Sequence, residues 1–269
     1  LIKIDVVYFS CRLFAIKYII LTIMEQSNEA EGATQAYLGD LGKTKEIDAL
    51  VQIPQSDRDE KWNETFLALV TQASFRCGDP QVINGPDGFP YFQLFLPEPN
   101  KSFQCFVIEN MKNDFLLEVG FGVVINPSSD SADWVFSNGD ILNLQLNKTF
   151  YSTEPTSFSK TKSVEILTES EQVMVAQPNE KLLPASTRKL LRDYLIRIGL
   201  AEPKVLLLMR TLKDGSGVSQ NIVFNITPEQ FENENSYQSV LRVISWYLPR
   251  HYSVVGMSEK TLGNDFVAL

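Results

Sequence analysis

The chain has 269 residues, of which 44% are apolar and 21% are charged. This composition excludes a disordered chain, a collagen-like fibre and a disulfide scaffold, and it suffices for one large or two mid-sized domains. Lys and Arg number 24 against 33 Asp and Glu, for a net charge of -9. The acidic balance argues against a protein that binds nucleic acid over its whole surface.

The first residues resemble a membrane segment only superficially. Residues 1–23 are apolar, but four charged side chains interrupt them, whereas a membrane-spanning helix needs about 20 residues with few or no charges. Because the chain opens with Leu1 and the residues after Met24 are polar and acidic, we interpret Met24 as the native start and residues 1–23 as a non-native extension. We expect residues 24–45 to form a disordered N-terminus.

A polar segment divides the rest of the chain into two halves. It is rich in Ser and Thr and has no apolar periodicity, so we predict that 147–171 links a domain over 46–146 to a domain over 172–269. Residues 24–171 hold 10 basic and 23 acidic side chains, a net charge of -13, while 172–269 hold 11 and 9, a net charge of +2. The two predicted domains therefore differ in electrostatic character.

In the first half, helix and strand patterns alternate. Helices are predicted from apolar residues at helical spacing and from capping residues, and strands from aromatic runs bounded by turn residues. These patterns predict, in chain order, a helix over 62–73, a strand over 91–96, a helix from Ser102 to a turn over 112–114, a strand over 120–127 and a helix that begins at 137–140.

The second half has a simpler pattern. It predicts a strand over 172–176, a helix that ends at Gly199, strands over 204–212 and 220–226 joined by a hairpin loop, a helix over 237–247 and a strand over 252–255. The order β-α-β-β-α-β is that of the ferredoxin-like fold, with an antiparallel sheet and two helices on one face. We expect an α+β protein of two domains, the second ferredoxin-like.

Several of these segments also point to a family. The strand Gly88–Phe95, the segment Gly122–Pro127, the segment Val175–Pro178, the helix after Pro184 and the strand Val205–Met209 make the chain resemble the SseB family. Its members are bacterial cytosolic proteins of two domains, named for a serine-sensitivity phenotype. The resemblance covers most of residues 46–257 in pattern. It implies an intracellular, non-enzymatic protein whose biochemical role is poorly defined.

The sequence offers little for catalysis. His251 is the only histidine, so any role for an imidazole must use it. The enzyme alternative is a hydrolase or transferase in which His251 acts with a cysteine or a carboxylate. Cys77 and Cys105 lie 28 residues apart without a CxxC or Cys/His spacing, which is typical of ordinary thiols in a reducing compartment. We predict no metal and no cofactor.

The end of the last predicted helix concentrates unusual residues. Three aromatic side chains and two potential cations fall within seven positions: Trp246, Tyr247, Arg250, His251 and Tyr252. In one interpretation, Trp246 and Tyr247 lie partly in the core while Arg250 and His251 bind the last helical carbonyls. In the other they form a recognition patch, because Trp, Tyr and Arg tend to anchor protein interfaces.

A second candidate is the basic run over 181–213, which holds eight basic and two acidic residues. Arg188, Lys189 and Arg192 lie within about one helical turn. They form either a solvated helix face or a site for an anionic partner, such as the acidic half of another copy. Nucleic acid is disfavoured because no base-stacking motif accompanies the charges.

These observations favour a cytosolic protein-binding or regulatory module without catalysis of its own. Its partner is expected to be another protein or a second copy of the chain, and no membrane is involved.

Overall fold

The computed structural model describes residues 38–152, 156–158, 173–211, 218–262 and 265–269. The chain forms two compact units, a smaller one of residues 38–76 with 96–110 and a larger one of Cys77–Phe95 with Met111–Leu269. This grouping differs from the predicted division at 147–171. Most of that predicted linker, the proposed start at Met24 and the predicted hairpin loop lie outside the described residues.

Two helices form the core of the smaller unit. Helix α1 spans Leu41–Val51 and helix α2 spans Glu60–Val70. Their N-terminal caps are Asp40, whose carboxylate accepts from Gly42 N–H at 2.8 Å, and Asp59, whose carboxylate accepts from Trp62 N–H at 2.8 Å. The predicted helix over 62–73 is thus confirmed. The expected disorder is wrong for residues 41–45, which belong to α1.

Four strands form the first sheet, in the order β1-β2-β3-β4. They are β1 (Arg76–Asn84), β2 (Pro90–Phe95), β3 (Gly122–Ile125) and β4 (Trp134–Phe136). Strands β2 and β3 are parallel and almost wholly buried, and β3 and β4 are antiparallel. The predicted strands over 91–96 and 120–127 are confirmed, while β1 and β4 were not predicted.

Helical segments flank β3 along the chain. Short helices α3 (Ile108–Met111) and α4 (Leu117–Val119) enclose a π-helical turn over Lys112–Leu116. The predicted cap at Ser102 and turn over 112–114 are therefore wrong, because the polar residues 112–114 lie in helical conformation. Helix α5 (Asn138–Asn147) begins where predicted, at a capping box.

The predicted order of elements in the second half is confirmed. It contains β5 (Val173–Ala176), α6 (Ala185–Arg197), β6 (Lys204–Thr211), β7 (Val218–Phe224), α7 (Glu234–Trp246) and β8 (Val254–Gly256). A short helix α8 (Glu259–Leu262) and a strand β9 (Val267–Ala268), which pairs with β6, follow.

The strand pairing of this second sheet differs from the prediction. Strands β5 to β8 lie side by side in chain order, and β7 and β8 are parallel, with Ile222 opposite Val254. The sheet is therefore mixed, and the predicted antiparallel sheet is wrong at this pair. In a split βαβ unit another strand lies between the two parallel strands, so the ferredoxin-like arrangement is not confirmed. The coarser class, α+β, is confirmed.

Within the described part of the chain, no helix combines the length and the apolar character needed to cross a membrane.

Candidate functional site

Arg250 follows helix α7 and is bound by a carboxylate far away in the sequence. Its Nε donates to Asp140 Oδ1 and its Nη2 donates to Asp140 Oδ2, each at 2.7 Å. The Asp140 side chain is fully buried, while 61% of the Arg250 side chain is exposed. Hydrogen bonding to Asp140 raises the pKa of Arg250 above its ordinary value. The guanidinium is thus a cation at the surface whose orientation is fixed by the buried carboxylate of Asp140.

Asp140 is positioned by the start of helix α5. In the capping box, Ser137 Oγ accepts from Asp140 N–H at 3.1 Å and Asp140 Oδ2 accepts from Ser137 N–H at 2.9 Å. The carboxylate therefore accepts three hydrogen bonds, two of them from Arg250. A negative charge in the first turn of a helix is also favoured by the helix dipole.

The backbone after α7 approaches the start of α5 very closely. A Cβ atom built on Gly139 would lie 1.9 Å from the carbonyl oxygen of Leu248. No real side chain tolerates that separation, so the approach requires glycine at this position. It brings Arg250, two residues beyond Leu248, within reach of Asp140.

An aromatic pair completes the surface around the guanidinium. The central carbon of Arg250 lies 4.6 Å from the centroid of the Tyr151 ring, a cation–π distance. Trp134 Nε1 donates to the Tyr151 hydroxyl at 3.1 Å. Burial raises the pKa of Tyr151 to about 12, so the hydroxyl keeps its proton at neutral pH. We call Trp134, Asp140, Tyr151 and Arg250 the Arg250 cluster.

Trp246 lies in the core. It is 8% exposed and stacks on Phe89 with ring centroids 4.4 Å apart. Its Nε1 donates to the Tyr91 hydroxyl at 3.2 Å, and that hydroxyl donates to Asp87 at 2.5 Å. Tyr247 is half-buried with its ring edge-on to Trp246. Trp246 therefore supports the loop that carries Arg250 and is largely covered itself.

His251 contacts aromatic rings. Its ring centroid lies 4.8 Å from that of Tyr252 and 6.2 Å from that of Phe158. Burial lowers the pKa of His251 below its ordinary value. Within the described chain, His251 forms no hydrogen bond with a cysteine or a carboxylate, and Cys77 and Cys105 are free thiols. The predicted catalytic pairing thus has no counterpart among these residues.

The predicted basic site residues on α6 have partners within the chain. Arg188 donates to the carbonyl of Leu183 at 2.9 Å and to that of Pro178. Lys189 Nζ lies 3.0 Å from a carboxylate oxygen of Glu118. For the remaining residue, Arg192, the Nη2 atom lies 3.7 Å from Asp193 Oδ1. Each of these cations is thus already engaged or partly neutralised, which reduces the attraction for an anionic partner.

Sequence reasoning identified Arg250 but missed the residues around it. The spacing of Ser137 and Asp140 correctly predicts the start of a helix. It gives no indication that Asp140 pairs with an arginine 110 residues further along the chain. Tyr151 fell within the predicted linker and Trp134 within an unassigned segment. Among the described residues, no group of three or more His, Cys, Asp or Glu side chains is placed to hold a metal ion.

Comparison of the chain with family models, with curated proteins and with solved structures finds no match.

Proposed function

We propose that this chain is a non-catalytic module that binds a partner protein, or a second copy of itself, through the Arg250 cluster. The observation that carries the proposal is the exposed guanidinium of Arg250 bound by the fully buried carboxylate of Asp140. An arginine that is already oriented loses little conformational freedom when a partner binds. Arg, Trp and Tyr, three of the four residue types in this cluster, are those enriched among interface hot spots.

Three further expectations belong to this proposal. One is kinship with the SseB family, which rests on the segments quoted from the sequence. Another is an organisation in two domains, and the third is a cytoplasmic location. Free thiols at Cys77 and Cys105 support a reducing compartment, since oxidising compartments favour disulfides.

The alternatives have less support. A hydrolase or transferase built on His251 needs a partner for the imidazole, and the described neighbours of the ring are the aromatic rings of Phe158 and Tyr252. An anionic partner on α6 would compete with Glu118 for Lys189 and with two backbone carbonyls for Arg188.

The test is affinity purification from an extract of the native cell, with the wild type beside Arg250→Lys and the double variant Arg250→Ala, His251→Ala. Arg197→Lys is the matched control, because Arg197 is an exposed arginine on α6. Thermal unfolding confirms that each variant is folded. We expect one partner to be retained by the control and lost from both Arg250 variants.

If the same proteins, or none, are recovered with the wild type and the Arg250 variants, and self-association does not depend on Arg250 either, the proposal is wrong. Self-association is measured on the same set of proteins by sedimentation velocity. A dimer that dissociates in the Arg250 variants alone identifies the partner as a second copy.

A further inference from the structure

The hydrogen-bonding capacity of Arg250 is only partly used. A guanidinium has five N–H donors, and two of them bind Asp140. Within the described part of the chain, the Nη1 atom of Arg250 donates no hydrogen bond. Because 61% of the side chain is exposed, the edge of the guanidinium next to the one that binds Asp140 remains open to further hydrogen bonds.

Tyr151 offers a second unused donor in the same cluster. Its hydroxyl oxygen accepts from Trp134 Nε1, but its own proton meets no acceptor among the described residues. Since the pKa of Tyr151 is raised to about 12 by burial, that hydroxyl is a donor throughout the physiological range. The ring of the same residue stacks against the guanidinium.

Two nearby carboxylates already accept hydrogen bonds. Both carboxylate oxygens of Asp140 bind Arg250, and one also accepts from Ser137 N–H. Those of Asp87 accept from the Tyr91 hydroxyl and from Phe89 N–H. Among the described residues, Arg250 and Tyr151 thus keep unused donors while the carboxylates of Asp140 and Asp87 already accept hydrogen bonds, which favours an oxyanion as the complementary ligand.

The geometry points to a binding site for an oxyanion, a carboxylate or a phosphate carried by a peptide segment of the partner. This inference rests on the proposed function and gives the chemistry of the recognised group. The planar fork of a guanidinium matches both groups in a bidentate manner. Because Asp140 neutralises the charge of Arg250, we expect the fixed direction of the N–H and O–H donors, more than net charge, to select the ligand. Small isolated oxyanions are therefore expected to bind weakly.

The experiment uses the full chain labelled with ¹⁵N and follows the side-chain N–H resonances of Arg250 by NMR. Four capped probes form two matched pairs: N-acetylglycine with N-acetylglycinamide, and N-acetyl-O-phosphoserine amide with N-acetylserine amide. Ionic strength is held constant with sodium chloride. We expect at least one of the two anions to shift the Arg250 resonances saturably, and the neutral partner of each pair to leave them unchanged.

Three variants separate recognition from general electrostatics. Tyr151→Phe keeps the ring but removes the hydroxyl, and we expect it to weaken binding by about tenfold, as for one hydrogen bond to a charged group. Arg197→Lys, on α6, is expected to leave the affinity unchanged. For Arg250→Lys the readout is the indole resonance of Trp134, and we expect the saturable shift to be lost because lysine lacks the planar fork.

Each outcome decides the inference. Saturation by the carboxylate, by the phosphate or by both supports it, and comparison of the two affinities identifies the preferred oxyanion. Equal responses to charged and neutral probes, or an unchanged affinity in Tyr151→Phe and Arg250→Lys, overturn it. If no probe binds while capture of the protein partner still depends on Arg250, the oxyanion inference fails and the proposed function stands.

Discussion

Arg250 and Asp140 are 110 residues apart in the sequence, yet two hydrogen bonds of 2.7 Å join their side chains. One end of the pair is exposed and the other is fully buried. The contact fastens the loop after α7 to the start of α5, and under the proposed function it also orients a cation for recognition. The stability and the binding function of this region are expected to be coupled.

Removal of the buried carboxylate of Asp140 is expected to destabilise the fold. Asp140→Asn replaces one acceptor oxygen by an amide that donates, so a donor faces the donors of Arg250. We expect the free energy of unfolding to fall by about 1–3 kcal/mol, less than for a wholly buried pair, because 61% of the Arg250 side chain is exposed and can be hydrated. Urea denaturation measures this loss. Asp130→Asn, at an exposed aspartate, is the control and should change stability by less than about 0.5 kcal/mol.

The close approach of Leu248 to Gly139 makes the second prediction. Gly139→Ala would place a methyl group 1.9 Å from a backbone oxygen, which only a displacement of the loop or of α5 can relieve. We expect a loss of about 1–3 kcal/mol in the free energy of unfolding, typical of overpacking. An unchanged urea midpoint would show that the loop moves freely and that its position is not fixed by α5.

The hydrogen-bonded network around Glu259 is expected to make stability depend on pH in the acid range. Hydrogen bonding to Lys204 lowers the pKa of Glu259, with Asn225 as a second donor. Since the folded-state pKa lies below the unfolded value of about 4.3, the contribution to stability is present above that value and is lost as the pH falls through the folded-state pKa. Denaturation at pH 7, 5, 4 and 3 should show a smaller decline for Glu259→Gln than for the wild type.

The control for this pH series is Glu232→Gln, an exposed acid outside the network. If both variants decline with the same slope, the network around Lys204 contributes nothing specific to acid stability.

Partial burial of His251 is expected to make stability depend on pH near neutrality. The pKa of His251 is lowered by burial, so the unfolded chain, with an ordinary value of about 6.5, takes up the proton first as the pH falls. The stability is therefore full above pH 6.5 and declines as the pH falls through the lower folded-state pKa. We expect His251→Gln to reduce this decline between pH 7.5 and 5.5, as measured by urea denaturation. An identical slope in both proteins would contradict it.

Much of the fold was predictable because its signals are local. Helices α2, α6 and α7 carry apolar stripes at helical spacing, and α5 begins with a capping box. Helix α1 was missed because only Thr44 and Ile47 on it are buried, which leaves almost no stripe. The π-helical turn was missed because Lys112, although polar, is 1% exposed and continues the helix.

The candidate site was predictable only in part. The sequence indicates Arg250 because aromatic and basic residues are concentrated around it, and a local concentration of this kind is visible in the sequence alone. Its partner Asp140 and its stacking partner Tyr151 come from distant segments. No spacing rule connects residues that meet only through tertiary packing, and the same limit explains the wrong pairing predicted for β7 and β8.

The chain-order arrangement of β5, β6, β7 and β8 bears on how quickly this sheet assembles. Each of these strands pairs with its neighbour along the chain, so no strand must await the insertion of a distant one between two others. The β6–β7 pair is the most local of the three, because a helix separates β5 from β6 and another separates β7 from β8, and local pairs close at the smallest entropic cost. We expect the β6–β7 hairpin to nucleate the sheet, with β5 and β8 added afterwards on its two sides.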